Sequence, residues 1–385
     1  MMLTQYFRRF FNSSQSSGVI LLLCVFVSLL VANSSAGGSF AALLDAPLGP
    51  YTVSSWINDG LMAIFFLLVG LEIKREIVEG ELSDVKKASL PILAAIGGML
   101  VPAAVFFLFN HSNEYRHGWG IPMATDIAFS LAIISMLSSR VPASVKIFLA
   151  ALAIVDDLGA IMVIAIFYTE QLHWLYLIIA AAIIVLLILM NRFGVKKNIY
   201  YIIPGVVLWY LMHHSGIHAT IAGVLLAFTI PTNVETDIPS PLEKLESALH
   251  MPVSFIVMPL FALSNTNILF KEGMVDGLFT PFGYGIIGGL VLGKVVGINL
   301  FSFIAVKLGW SSLPQNAEWK HMIGAGLLAG IGFTMSIFIA LLSYKGMPDV
   351  QEEAKFAILV ASLIAGISGY LVLKSTSRKR TTEAE

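Results

Sequence analysis

Charge is scarce in this chain of 385 residues: Asp, Glu, Lys and Arg make up 12% of it, against roughly a quarter in soluble domains. Cysteine is scarcer still. Cys24 stands alone in an apolar run, which excludes an internal disulfide and a thiolate zinc cluster. The formal net charge is -1, so there is no basic excess to attract nucleic acid. Also absent is the ~10-residue alternation of polar and apolar positions that barrel strands in an outer membrane require. What fills the chain instead is apolar: 57% of residues are hydrophobic and the mean hydropathy is +0.85. A soluble protein of this size could not cover that much apolar surface. Continuous apolar segments point to helices, which pair their own backbone groups inside lipid.

The pattern predicts an all-α polytopic membrane protein with about twelve spans, at 18–34, 56–77, 89–110, 118–138, 144–168, 173–191, 199–213, 216–230, 252–269, 283–306, 321–343 and 354–373. Little chain remains for anything else, so residues 1–385 read as a single transmembrane domain in contact with the lipid bilayer. Arg8-Arg-Phe-Phe11 has the look of a twin-arginine signal, but eleven further spans follow, which makes the first one a retained helix with a basic flank. Counting Lys and Arg by loop puts eighteen on the side of the termini, four on the other side, and Lys294 in mid-span. That asymmetry predicts both termini in the cytoplasm and an even number of spans.

Charges at membrane depth cost ~2.5–3.5 kcal/mol each on the insertion scale and are kept mainly for function. Asp126, Asp156, Asp157 and Lys294 stand at that depth, and Asp59 stands nearer a span end. Adjacent helical residues point ~100° apart, so Asp156 and Asp157 cannot share a face. One can line a cavity while the other reaches a neighbouring helix. Lys294 is the one basic residue available there as a partner. Two carboxylates this close in a low dielectric resist ionising together, and their hard oxygens suit protons or a cation such as Na⁺ or Li⁺. Helix breakers mark the fourth and eleventh spans: Pro122 and Thr125 in one, Gly324, Gly326, Gly330 and Gly332 in the other. Two broken helices meeting at mid-depth would set half-helix dipoles against each other. Asp126 would offset the positive ends and Lys294 the negative ends. Each broken span is the middle of a three-helix group, as in an inverted repeat.

Trp56-Ile-Asn-Asp59, Phe65-Phe-Leu-Leu-Val-Gly-Leu-Glu-Ile-Lys-Arg-Glu76, Ala124-Thr-Asp-Ile-Ala-Phe129, Ala151-Leu-Ala-Ile-Val-Asp-Asp-Leu-Gly-Ala160, Gly216-Ile-His-Ala-Thr220 and Gly332-Phe-Thr-Met-Ser-Ile-Phe-Ile339 closely resemble the bacterial NhaA-type sodium/proton antiporters. The resemblance runs over nearly the whole chain. It implies an inner-membrane exchanger of cytoplasmic Na⁺ or Li⁺ for external protons, electrogenic with two protons per cation, regulated by pH and without a cofactor. It implies that Asp157 is the principal cation ligand and that Asp156 takes part in proton exchange and pairs with Lys294. Thr125 and Asp126 match the family's broken-helix positions. Glu72, Glu246, His218 and His250 match positions tied to its alkaline activation, and Asp59 falls among the accessory acidic positions.

Two departures stand out. Leu245-Glu-Ser-Ala-Leu-His-Met-Pro252 carries Ser247 where the family often has a histidine, which bears on the pH profile. The first external loop, about 35–55, is short and holds Pro47, Gly49 and Pro50. A long strand pair cannot form there, which leaves a homodimer contact at that loop open. Rival classes fit less well. A channel would need rings of charges or carbonyls. An intramembrane enzyme would need a Gly-x-Gly-Asp or an Asp-rich repeat. A symporter for an organic solute would need more neutral polar groups than the mostly acidic set found in mid-span.

Overall fold

The computed structural model of the protein describes residues 14–138, 140–169, 171–233 and 238–376. Arg8, Arg9, Arg378, Lys379 and Arg380, which entered the charge count, lie outside the described residues. In chain order the main helices are α1 (Ser14–Ala32), α2 (Gly37–Asp45), α3 (Met62–Val78), α4 (Val85–Asn110), α5 (Ile127–Met136), α6 (Ala143–Phe167), α7 (Trp174–Arg192), α8 (Ile199–Ser215) and α9 (Ile221–Thr229). There follow α10 (Pro241–Asn265), α11 (Pro281–Lys307), α12 (Trp319–Ala329), α13 (Phe333–Ser343) and α14 (Pro348–Lys374). Among the described residues the strands are limited to a hairpin of β1 (Pro47–Leu48) and β2 (Tyr51–Thr52), with Pro47 opposite Thr52. Two residues per strand is what flanking prolines without N–H groups allow.

All twelve predicted segments hold helix. Among the described residues, six helices can each cross a membrane by length and apolarity, or up to nine spans when each of three bent pairs counts as one. Helix α9 has 9 residues, short of the predicted 216–230, whereas α8 runs past its predicted end and a π turn at Trp56–Leu61 leads directly into α3 and completes the predicted second span. Gly216, at φ 89°, ends α8 in the left-handed region, and the chain regains helix only at Ile221. Helix α10 begins earlier than the predicted 252. Ser240 and Glu243 form a reciprocal cap there, and Pro241 supplies a preset first helical residue.

The chain forms two compact units. One comprises residues 20–83 and 158–269. Its core joins Leu71, Leu187, Tyr201, Leu226, Ala227, Ile230, Leu242 and Leu245. Helices α3 and α9 approach closely because Gly70 and Gly223 leave room: a Cβ at Gly223 would lie 2.2 Å from the Ala63 carbonyl oxygen. Lys74 Nζ donates to Phe228 O at 2.8 Å and to Ile230 O at 2.5 Å, so an ammonium covers the negative end of α9.

The other unit comprises residues 14–19, 84–157 and 270–376 among those described. Its boundary falls within α6, just after Asp157. Helices α4 and α11 pack glycine on glycine, and a Cβ at Gly97 would lie 2.2 Å from the Gly297 carbonyl oxygen. Gly324 and Gly326 do not break the eleventh predicted span, contrary to expectation. Both lie inside α12, where Gly324 admits Leu373 of α14 and Gly326 admits Val295 and Asn299 of α11. Close packing explains these two glycines, and the break itself falls at 330–332. Pro122 likewise sits within a 3₁₀ helix, Glu114–Met123, and the chain leaves helical geometry only at 124–126.

Candidate ion-binding site

The site lies wholly within the unit that holds residues 84–157 and 270–376. Helix Glu114–Met123 and α5 bend by 40° at their break, and α12 and α13 bend by 45° at theirs. Breaking a helix in an apolar interior frees backbone groups that must find partners. The two breaks supply them to each other. Asp126 N donates to Ile331 O at 2.6 Å. The Ser130 hydroxyl lies 2.8 Å from Leu328 O, and the Ser336 hydroxyl donates to Ile121 O at 2.7 Å. Thus a serine beyond each break satisfies a carbonyl before the other.

Asp126 sits where both second halves begin. Its Oδ1 accepts from Phe129 N at 3.1 Å, which caps α5. Its Oδ2 accepts from Thr334 N at 3.1 Å and from the Thr334 hydroxyl at 2.5 Å, at the first turn of α13. One buried carboxylate therefore faces the positive ends of two helices. Thr334→Val would keep the N–H bond and remove the hydroxyl. A buried carboxylate oxygen losing a donor costs about 1–3 kcal/mol, so the melting temperature in detergent should fall, whereas Thr334→Ser should stay near wild type. Equal melting of all three would show that the hydroxyl contributes nothing.

Asp156, Asp157 and Lys294 are each at most 2% exposed. Lys294 Nζ forms a buried ion pair with Asp156 Oδ2. The Thr125 hydroxyl lies 2.6 Å from the same oxygen and 2.8 Å from Ala329 O, so its one proton serves one acceptor at a time. Asp156 Oδ1 is buried and has no hydrogen-bond partner among the described residues. Asp157 follows on the next helical position and lies within electrostatic reach of Lys294. A π turn at Gly288–Gly293 immediately precedes Lys294 and changes the face that the rest of α11 presents. This arrangement can hold a hard cation or protons: anionic oxygens are present, an ammonium competes for them, and one carboxylate oxygen is uncommitted.

The remaining predicted residues lie in the other unit. Asp59 Oδ1 is 3.7 Å from His218 Nε2, and Asp59 Oδ2 is 4.0 Å from His213 Nδ1. Arg75 joins Glu76 at 3.1 Å and Glu246 at 3.3 Å, and Glu72 lies within electrostatic reach of all three. His250 is exposed one turn beyond Glu246. Sequence reasoning passed over Thr334, Ser130 and His213. A hydroxyl two to four residues past a helix break was the signal for the first two. For His213 no motif set it apart.

Ion pairs elsewhere differ in kind. Lys271, outside the spans, bonds Glu352 at 2.8 Å and Asp349 at 3.2 Å, and these hydrogen bonds, Glu352 first, hold its ammonium above the usual lysine range. That pair faces solvent, where salt screens it, and contributes little.

The profile of the family described as Na+/H+ antiporter 1 matches residues 8–373. The chain belongs to this family. It is 57% identical over 383 residues to Na(+)/H(+) antiporter NhaA 2 of Flavobacterium johnsoniae, a match covering 97% of this chain and 93% of that one. It is 50% identical over 374 residues to Na(+)/H(+) antiporter NhaA of Flavobacterium psychrophilum, covering 97% of both chains. It is also 50% identical over 373 residues to Na(+)/H(+) antiporter NhaA of Dechloromonas aromatica, covering 96% of both. Membership in this bacterial family and several membrane-crossing helices make the chain a multi-pass protein of the inner membrane.

Proposed function

We propose that the protein exports cytoplasmic Na⁺ or Li⁺ in exchange for external protons, moving two protons per cation and therefore net charge. The observation that carries this reading is the buried Lys294–Asp156 pair, held by Thr125 at a helix break and followed directly by Asp157. In this reading Asp157 binds the dehydrated cation and Asp156 exchanges its ammonium partner for a proton. Asp126 stays charged throughout, because two helix N-termini and Thr334 hold it. Twelve spans, two discontinuous helices crossing at the site, one membrane domain and both termini in the cytoplasm complete the proposal. The names of the relatives, each a Na(+)/H(+) antiporter, support the choice of ions.

Regulation by pH follows from competition. Na⁺ binds the ionised carboxylates and protons bind the same groups. Raising Na⁺ therefore brings half-maximal activity to a lower pH. With Ser247 in place of a histidine, further control is assigned to Glu72, Glu246, His250 and the Asp59–His218 contact. A midpoint that does not move with Na⁺ would instead favour a sensor apart from the binding site. Proton flux in everted vesicles, started by Na⁺, Li⁺ or K⁺ across the range from about pH 6 to 9, tests the whole reading. Exchange with Na⁺ and Li⁺ but not K⁺ is expected, and no cation-driven flux would refute it.

A further inference from the structure

Three basic side chains gather where α5 and α14 end and α6 begins. Arg140 Nη1 donates to Lys374 O at 2.9 Å, which covers the negative end of α14. Lys146 Nζ donates to Ser138 Oγ at 2.7 Å, across the turn between α5 and α6. Lys374 Nζ stands over the Tyr370 ring, 5.6 Å from its centroid. Among the described residues none of the three pairs with a carboxylate. The sequence explains this, because no Asp or Glu occurs from Ile127 to Val155 or from Ala354 to Thr376. The loop that touches the start of α6, through Ser144 Oγ and Gln315 O at 2.6 Å, brings Glu318, and that side chain caps α12.

These bases close the end of an apolar surface. Helices α5 and α14 lie side by side and run the same way: a Cβ at Gly366 would lie 3.4 Å from Ile133 Cδ1, and about two turns on Arg140 reaches Lys374. On α14, Leu363, Ile367 and Leu371 are 65%, 53% and 57% exposed, and at helical spacing they form one stripe that ends in Lys374. On α5, Met136 is exposed one turn before Arg140. In a chain that crosses the bilayer, such a stripe meets hydrocarbon, and its charged end stands at the headgroups.

The charged end is also prepared for an anion. Arg140 and Lys146 are already held by hydrogen bonds, so less side-chain freedom is lost when an anion binds. The bond to Lys374 O uses one of the five guanidinium N–H groups of Arg140. A soluble anion would satisfy the bases and leave the stripe uncovered. A phosphate carrying acyl chains satisfies both.

We propose that Arg140, Lys146 and Lys374 bind the phosphate of an anionic phospholipid whose acyl chains lie along α14 and the end of α5, so that one lipid braces the turn between α5 and α6. In the orientation proposed above this is the cytoplasmic leaflet, where anionic lipid attracts basic groups. The braced helices are those that Asp126 caps and that carry Asp156 and Asp157.

The test uses the full-length protein in a neutral detergent, with its melting temperature followed against added lipid. Phosphatidylglycerol should raise it saturably and more than phosphatidylcholine with the same chains, and salt at about 1 M should remove the difference. With each base changing affinity roughly fivefold, Lys146→Gln combined with Lys374→Gln should raise the half-saturating phosphatidylglycerol concentration about tenfold or more. Lys86→Gln combined with Lys87→Gln removes the same charge beside Asp84 and should change it less than about twofold. Glycerol 3-phosphate, which has no chains, should give no shift. Equal shifts with the two lipids, equal losses in the two double variants, or a full shift with glycerol 3-phosphate would each overturn the inference. Should the Lys146 and Lys374 variant fail to fold, the wild type decides. A trace of phosphatidylglycerol with a diazirine in its acyl chain, in excess phosphatidylcholine, should label Leu363, Ile367 and Leu371 in preference to Val185 and Ile188, which are 55% and 52% exposed on α7. Equal labelling of the two helices refutes the site. Neither measurement depends on transport.

Discussion

Asp157→Asn is expected to abolish Na⁺- and Li⁺-driven proton exchange in a protein that still inserts and folds. Asparagine has nearly the same volume as the aspartate it replaces, so packing around this buried position survives. What disappears is the charge. A dehydrated cation in a low dielectric needs an anionic oxygen, and a neutral amide attracts it far less. The amide also takes no proton, so competition at this position ends. Flux should fall to the background of empty vesicles, with membrane abundance unchanged. Wild-type exchange in this variant would remove Asp157 from the site. Asp156→Asn acts differently in this account, since it removes a proton carrier. It should eliminate exchange or leave a residual exchange that no longer generates a potential.

Lys294→Ala should lower thermal stability by about 3–5 kcal/mol, the usual cost of breaking a buried ion pair from one side. The pair has both side chains fully buried, so nothing but protein can compensate the stranded Asp156 carboxylate. Asp156→Asn strands Lys294 in turn. The double variant leaves neither charge unpaired and should recover part of the loss. Independent sites would instead add within about 0.3–0.5 kcal/mol. Melting curves of the two single variants and the double variant in detergent close this cycle. Strictly additive losses would mean that the ion pair contributes nothing, and Lys294 would then serve the ends of the broken helices.

The chemistry-bearing residues were legible because membrane depth makes charge rare. Asp126, Asp156, Asp157 and Lys294 each stood out as an ionisable group inside an apolar run, and Lys294, the one base at that depth, stood out as partner to one of the two adjacent aspartates, while the choice of Asp156 came from the family resemblance. The placement of Asp126 at a helix break was legible for the same reason. Helix content was legible from unbroken apolarity. Less legible was what each glycine does. Gly324 and Gly326 looked like breakers and are packing contacts, because a glycine permits both a break and a close approach and only the neighbouring helix decides. The π turn before Lys294 left no periodic signature, since one extra residue in a helix shifts the phase without altering composition. His213 was invisible as a candidate. A histidine in an apolar stretch carries no mark in the sequence that it meets Asp59.

In the proposed antiport one buried carboxylate pair, balanced by Lys294, exchanges a cation for protons with net movement of charge. The most direct test is purified protein in liposomes with no other transporter, with internal pH and membrane potential recorded together after a pulse of external Na⁺. Na⁺ entry is expected to drive protons out while a potential, negative inside, develops at the same time, with both signals absent in Asp157→Asn. Sodium entry without proton counterflow, or proton counterflow without a potential, would contradict it.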